Sequence, residues 1–236
     1  MRPLLIFRHV ACEGPGYLGN FLDQNEIPYR IIRIDAGMPV PPGIEEASGL
    51  VFMGGPMSVN DDLPWIHDEI ELIRSAHRNG IPVLGHCLGG QLISMALGGE
   101  VTRNPVQEIG WFPLECAALT PATTWLKKPD FTSEYFHWHG ETFSLPAGAR
   151  PLFHSRFCHN QGFVLAHSMA VQCHVEMLTV MVKEWLEYYK DDLPPPAQSV
   201  QSPEVMMDDI DQRIIHLHGV ADIIYGEWIK GLDRKD

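Results

Sequence analysis

Cys87 lies between an apolar run and a helix-like run in "GIPVLGHCLGGQLISMALGG", residues 80–99. Glycine inside a regular element costs roughly 0.5–1 kcal/mol relative to alanine, so the glycines crowded around this thiol need a reason other than stability. An apolar run, then Gly85-His86-Cys87-Leu88-Gly89, then a helix starting near Leu88 has the form of a nucleophile elbow. In an elbow a sharp strand-to-helix turn carries the nucleophile at its tip, and glycines flank it where two backbones pack too closely for side chains. The helix start favours a thiolate, and the Leu88 N–H is placed to stabilise a developing oxyanion. A thiol nucleophile needs a base, and the base needs an orienting group. The chain holds 12 histidines, but His174 in "VQCHVEM" stands out because Glu176 follows two residues later. In extended backbone those two side chains share a side, so Glu176 can accept from one ring nitrogen of His174 while the other faces the thiol. The chain order Cys, His, Glu differs from the Ser, Asp/Glu, His order of α/β-hydrolases.

Further polar positions gather around this set. Gly54-Gly55-Pro56 follows the apolar run "GLVFM". No side chain blocks a close backbone approach there, and the Gly55 N–H is assigned as a second oxyanion donor. Its place at the carboxyl end of a central strand is where open α/β sheets put their sites. In "HWH", His137 and His139 alternate as on a strand, but no third ligand is spaced near them. No metal site is therefore expected, and His139 is read as lining the pocket. Glu108 and Trp111 in "QEIGW" are read as walls of a substrate pocket. No phosphate loop appears, and no cofactor is expected.

Short runs rich in Ile, Val and Leu must position these residues: "PLLIF", "YRIIRI", "GLVFM" and "IPVLG" in the first half. Such apolar runs suit parallel strands buried on both faces. Between two of them "PWIHDEIELIRSAHRNG" reads as a helix, with Asp61 or Asp62 as cap, Pro64 in its first turn, Gly80 at its stop, and Ile66, Ile70 and Ile73 on one face. The alternation predicts an α/β fold, an open, mostly parallel sheet with helices on both faces. The second half is richer in strands ("IGWFPLE", "EYFHWH", "GFVLAHS", "MAVQCH"), followed by a helix over 177–190. Residues 1–190 are expected to form one domain. Residues 191–236 are expected to form a Pro-rich connection and a helical extension packing on that domain.

Composition excludes several classes. The net charge of -13 and pI near 5.3 argue against nucleic acid, because phosphate binding needs clustered Lys and Arg. No polybasic segment or long apolar run points to a membrane. The N-terminal run is too short for a signal-peptide core and reads as a first strand. Five cysteines without a CxxC pair do not form a disulfide framework. A cytoplasmic protein is expected.

These residues together resemble the class I, or triad, glutamine amidotransferase family, over roughly Pro3 to Tyr189. Its motif G-x-C-x-G-x-Q is matched by Gly85, Cys87, Gly89 and Gln91, its strand-end pair by His174 and Glu176, and its Gly-Gly-Pro loop by Gly54, Gly55 and Pro56. The runs "GGPMSVNDDLPWI", "EIGW", "HWHGETFSLP" and "CHNQGF" are similar to a stand-alone branch that resembles the amidotransferase domain of GMP synthase and the plant γ-glutamyl peptidases. The resemblance implies a flavodoxin-like fold and attack by Cys87 on the γ-carboxamide of glutamine or of a γ-glutamyl small molecule. It also implies a glutamyl-holding role for Gln91 and the Gly54 loop, and a possible separate synthase subunit as ammonia acceptor. No ATP pyrophosphatase motif or P-loop follows, so the chain is not expected to be a GMP synthase itself. A γ-glutamyl peptidase acting on glutathione-like peptides, or a catalytically silent binding protein on this fold, are the alternatives. Two positions depart from the family pattern: Cys173 stands before the histidine and His86 before the nucleophile, where apolar residues are usual.

Overall fold

Alternate residues of the first strands face two different cores. In β1 (Leu4–Arg8), Leu4 and Ile6 join one apolar cluster while Leu5 and Phe7 join another. In β3 (Gly49–Phe52), Val51 and the following Met53 face the first cluster and Leu50 and Phe52 the second. A strand buried on both faces needs helices on both sides, and the computed structural model, which describes residues 2–117, 120–127 and 134–232, supplies them. On one face lie α1 (Tyr17–Gln24), α4 (Thr179–Tyr188) and α6 (Ile210–Trp228). On the other lie α2 (Pro64–Arg78) and α3 (Leu88–Ala96).

Among the described residues the main sheet runs β2-β1-β3-β4-β10-β9-β8-β6. The first five of these, with β2 at Tyr29–Arg33, β4 at Val83–His86 and β10 at Ser168–Val171, are parallel. The strands β9 (Gly162–Leu165), β8 (Arg150–His154) and β6 (Glu115–Cys116) continue it antiparallel. The predicted open, mostly parallel sheet with helices on both faces is thus the observed one. A separate antiparallel pair, β5 (Val101–Pro113) and β7 (Glu134–Phe143), covers the carboxyl end of the sheet beside α3.

Some local expectations change. The cap of α2 is Leu63, without a side-chain bond, because Asp61 instead accepts from the Ser58 N–H at 2.9 Å. Pro64 does open the helix and Gly80, at φ 70°, follows it. β5 begins well before "IGW", since its register breaks between Arg103 and Glu108 and hides any alternation. The closing helical stretch is split into α5 (Pro203–Met207) and α6 at Asp208–Asp209, with Asp209 in the left-handed region. α6 buries Leu217, Val220, Ile224 and Tyr225 in the same cluster as Leu18 and Phe21 of α1. No helix among the described residues is long and apolar enough to cross a membrane.

Candidate active site

Three adjacent strands, β3, β4 and β10, end at one place, and their extensions carry the site. Cys87 follows β4 with φ 49° and ψ −107°, a strained conformation for a residue with a Cβ. The turn closes because Gly85 and Gly89 have no side chains. A Cβ on Gly89 would lie 2.0 Å from the Phe52 carbonyl oxygen, and one on Gly85 would lie 2.3 Å from the Gly89 backbone. Leu88 is the first residue of α3, so its N–H has no acceptor within the helix. A Cβ on Gly55 would be 3.0 Å from the Leu88 side chain, so the two residues expected to supply the oxyanion donors are neighbours.

His174 lies beyond β10, held by a bridge to Phe136 of β7. Its Nδ1 is 2.7 Å from Glu176 Oε1, and both residues are buried. Burial disfavours charge on the imidazole, but Glu176 and then Cys87, with hydrogen bonds to both, hold its pKa well above 6.5. Burial likewise opposes the Glu176 carboxylate, yet His174 and His86 bring its pKa below the usual range. Cys87, Gln91, Gly55, His139 and His174 line one cleft of about 820 Å³, with Trp138, Trp185 and Tyr189 along its sides.

Other residues sit differently from the expectation. Trp111 is wholly buried, against Phe136, with its indole N–H donated to the Met206 carbonyl, so it is core and not pocket wall. Glu108 is also fully buried and does not line the cleft. It accepts from Gln161 Nε2 at 2.6 Å and lies 3.1 Å from His139 Nε2 and 3.6 Å from His137 Nδ1. A third potential ligand therefore does stand beside His137 and His139, contrary to the sequence expectation. Strand register supplies it: Glu108 pairs with His139 across β5 and β7. Burial pushes the His137 imidazole down to about 4 against the pull of Glu108. Gln91 reaches the cleft, but its amide is engaged with Gln172. His86 faces away from the cleft, 3.1 Å from the Tyr225 hydroxyl, and burial holds its pKa below 6.5. Cys173 is buried in the core with Tyr135, and burial raises its thiol pKa well above 9.0.

Several contributors carry no sequence signal of their own. Gln172 Nε2 donates to Cys87 Sγ at 3.4 Å. The Glu13 carboxylate, bonded by Tyr189, sits where a Cβ on Gly54 would otherwise lie, beside the His174 ring. Burial raises the Glu13 pKa above the carboxylate range, against the pull of His174. His9 Nδ1 reaches the Met53 and Gly54 carbonyls and its Nε2 meets Glu69 at 3.0 Å, a buried pair that fixes the Gly54-Gly55 turn.

Residues 22–186 match the family model described as glutamine amidotransferase class-I. A glutamine amidotransferase-like protein of Salmonella typhimurium is 31% identical over 194 residues, 78% of this chain and 80% of its own length. A glutamine-hydrolysing GMP synthase of Clostridium kluyveri is 48% identical, but only over 63 residues, 26% of this chain and 11% of that protein. The crystal structure of a glutamine amidotransferase from Methylobacillus flagellatus, 42% identical, superposes with a TM-score of 0.94 over 100% of this chain and 97% of that one. One from Thermotoga maritima, 28% identical, gives 0.84 over 97% and 98%.

Proposed function

The chain belongs to the class I glutamine amidotransferase family, and on that premise we propose that it hydrolyses the γ-carboxamide of glutamine through a γ-glutamyl thioester on Cys87. In this reading His174 already holds the proton of the thiol when the Cys87 sulfur bonds to the γ-carbonyl carbon. The N–H groups of Leu88 and Gly55 hold the resulting oxyanion. The C–N bond then breaks as His174 returns a proton to the departing nitrogen, and ammonia leaves. Water, deprotonated by His174, attacks the thioester, releasing glutamate and restoring the thiol. Glu176 holds the ring of His174 and stabilises its charged form, as the acid does in other triads. The observation that carries the reading is the 2.7 Å contact of His174 with Glu176 at a cleft that also holds the strained elbow cysteine.

A second reading is favoured by the room in the cleft. About 820 Å³ is far more than a glutamine side chain fills, and a pocket of that size suits a drug-sized ligand. A γ-glutamyl peptide would occupy it with the same chemistry and a larger leaving amine. An ammonia-accepting synthase subunit also belongs to the first reading, supported by the short likeness to GMP synthases. So do a cytoplasmic setting and the treatment of residues 191–236 as an extension of the domain formed by 1–190.

The test is a product screen of the purified chain with glutamine and a panel of γ-glutamyl peptides, measuring ammonia, released amine and glutamate. A glutamine-site diazo-ketone label should attach at Cys87. Burial raises the thiol pKa of Cys12, Cys116, Cys158 and Cys173, so these should stay unlabelled. No turnover of any of these compounds and no label on Cys87 would leave a silent binding protein.

A further inference from the structure

Beneath the cleft wall, His137 and His139 present a proton-counting problem. Each ring nitrogen of both residues faces an oxygen acceptor. His137 Nε2 lies 3.3 Å from the Phe112 carbonyl and its Nδ1 lies 3.6 Å from Glu108 Oε2. His139 Nδ1 lies 2.9 Å from the Glu141 carbonyl and its Nε2 lies 3.1 Å from the same Glu108 Oε2. A neutral imidazole has one N–H to donate. If each ring gives it to its backbone carbonyl, two nitrogen lone pairs converge on one buried carboxylate. If His139 alone is protonated, it pairs with Glu108, but the bare Nδ1 of His137 still faces that carboxylate with no donor. If both rings are protonated, two buried cations share one anion, and an uncompensated buried charge is costly. Glu108 Oε1, His137 Nδ1 and Gln161 Oε1 are moreover buried without hydrogen-bond partners at this place.

A cation bound between the three side chains removes the conflict. Metal-bound histidines commonly donate their other N–H to a backbone carbonyl, which fixes the tautomer and aims the free lone pair inward; Phe112 and Glu141 offer those carbonyls. The donor atoms of Glu108, His137 and His139 all lie within 4.8 Å of one another. The two separations from Glu108 Oε2, 3.1 and 3.6 Å, bracket the edge of about 3.3 Å that tetrahedral bonds of about 2.0–2.1 Å require, and the third edge, between the two histidines, is no longer than 4.8 Å. Gln161 Nε2 steadies the carboxylate at 2.6 Å and also bonds Ser155. His139 lines the cleft, and Glu108 and His137 lie buried behind it.

We propose that Glu108, His137 and His139 bind one divalent transition-metal ion, with the two-histidine, one-carboxylate donor set that zinc accepts. The ion would tie β5 to β7, and so brace the strand whose Trp138 carbonyl lies 3.9 Å from Cys87 Sγ. Its role is to hold the wall; the thiol chemistry needs no step through it.

The test uses the full chain, freed of metal by dialysis against a chelator and titrated with Zn²⁺ by calorimetry. One equivalent should bind, and the unfolding midpoint should rise by roughly 5–10 °C at a hundredfold excess over Kd. Glu108→Gln and His139→Asn should each lose that binding and that rise, while Cys87→Ser keeps both. Co²⁺ in place of Zn²⁺ should give the visible bands of a four- or five-coordinate ion without a thiolate charge-transfer band. This reads the ligand set in the unmutated chain even if a variant fails to fold. No uptake of Zn²⁺, undiminished uptake by Glu108→Gln and His139→Asn, loss of uptake in Cys87→Ser, or a thiolate band would each overturn the site.

Discussion

The Tyr225 hydroxyl lies 3.1 Å from Nε2 of His86, the residue immediately before Cys87, and the same nitrogen is 3.9 Å from Glu176 Oε2. A side chain of the last long helix thus holds a buried imidazole within electrostatic reach of the carboxylate that holds His174, whose Oε2 has no hydrogen-bond partner of its own. Tyr225→Phe keeps the ring in its core site and removes only the hydroxyl. We expect a stability loss of about 1 kcal/mol in urea titration and a severalfold fall in kcat with KM little changed. An unchanged kcat would show that Glu176 is held without help from α6.

The roles of the three candidate catalytic residues separate by magnitude. Cys87→Ala removes the bond-forming atom and should reduce turnover to background. His174→Ala should come close to it, because residues acting as a unit are not additive. Glu176→Gln leaves the oxyanion donors and the elbow in place, so a smaller loss is expected, on the order of 10²–10⁴-fold. Steady-state kinetics on the best substrate of the product screen would give the ranking.

The pKa of His174 sets a pH dependence with a definite sign. It is held well above 6.5 in the folded chain, so the stability that its proton contributes is complete below 6.5 and is lost as pH rises through the folded value. Glu176 titrates below 4.5 when folded, so its contribution is present above 4.5 and is lost as pH falls through the folded value. Glu176→Gln leaves burial opposed chiefly by Cys87 and should lower the pKa of His174. Urea midpoints measured from pH 6 to 10 should fall less steeply on the alkaline side in Glu176→Gln than in the unmutated chain.

Gly89→Ala tests the elbow as packing. The added methyl meets the Phe52 carbonyl oxygen at 2.0 Å, and that atom is backbone of a central strand and cannot swing aside. Overpacking of this kind costs typically about 1–3 kcal/mol, and here it should also displace Leu88 N–H and abolish turnover. Gly219→Ala, on α6 with nothing within 4 Å, is the control and should leave the unfolding midpoint unchanged or raised.

The sequence by itself determined what depends on near neighbours in the chain. Short apolar runs specified strands, and β1, β3 and β4 are buried on both faces as expected, whereas β2, at the sheet edge, is largely uncovered because it has a neighbour on one side only. The alternation with helical patterns specified the mostly parallel sheet. The glycines beside Cys87 specified the elbow, because only a residue without a side chain fits where α3 meets β3. A spacing of two residues brought His174 and Glu176 to one side. Tertiary structure decided what depends on register between distant segments. Glu108 reaches His139 across 31 residues because β5 and β7 pair there, and a broken register at Arg103 and Glu108 hides that pairing from any periodicity. The same holds for Glu13 beside His174, for His9 with Glu69 behind the Gly54 turn, and for Tyr225 on His86. Trp111 shows the converse: its type suited a pocket wall, but its strand turned it toward Phe136 and α5. Local rules determine which way a side chain points from its own backbone, and only the assembled sheets and helices decide what it meets there.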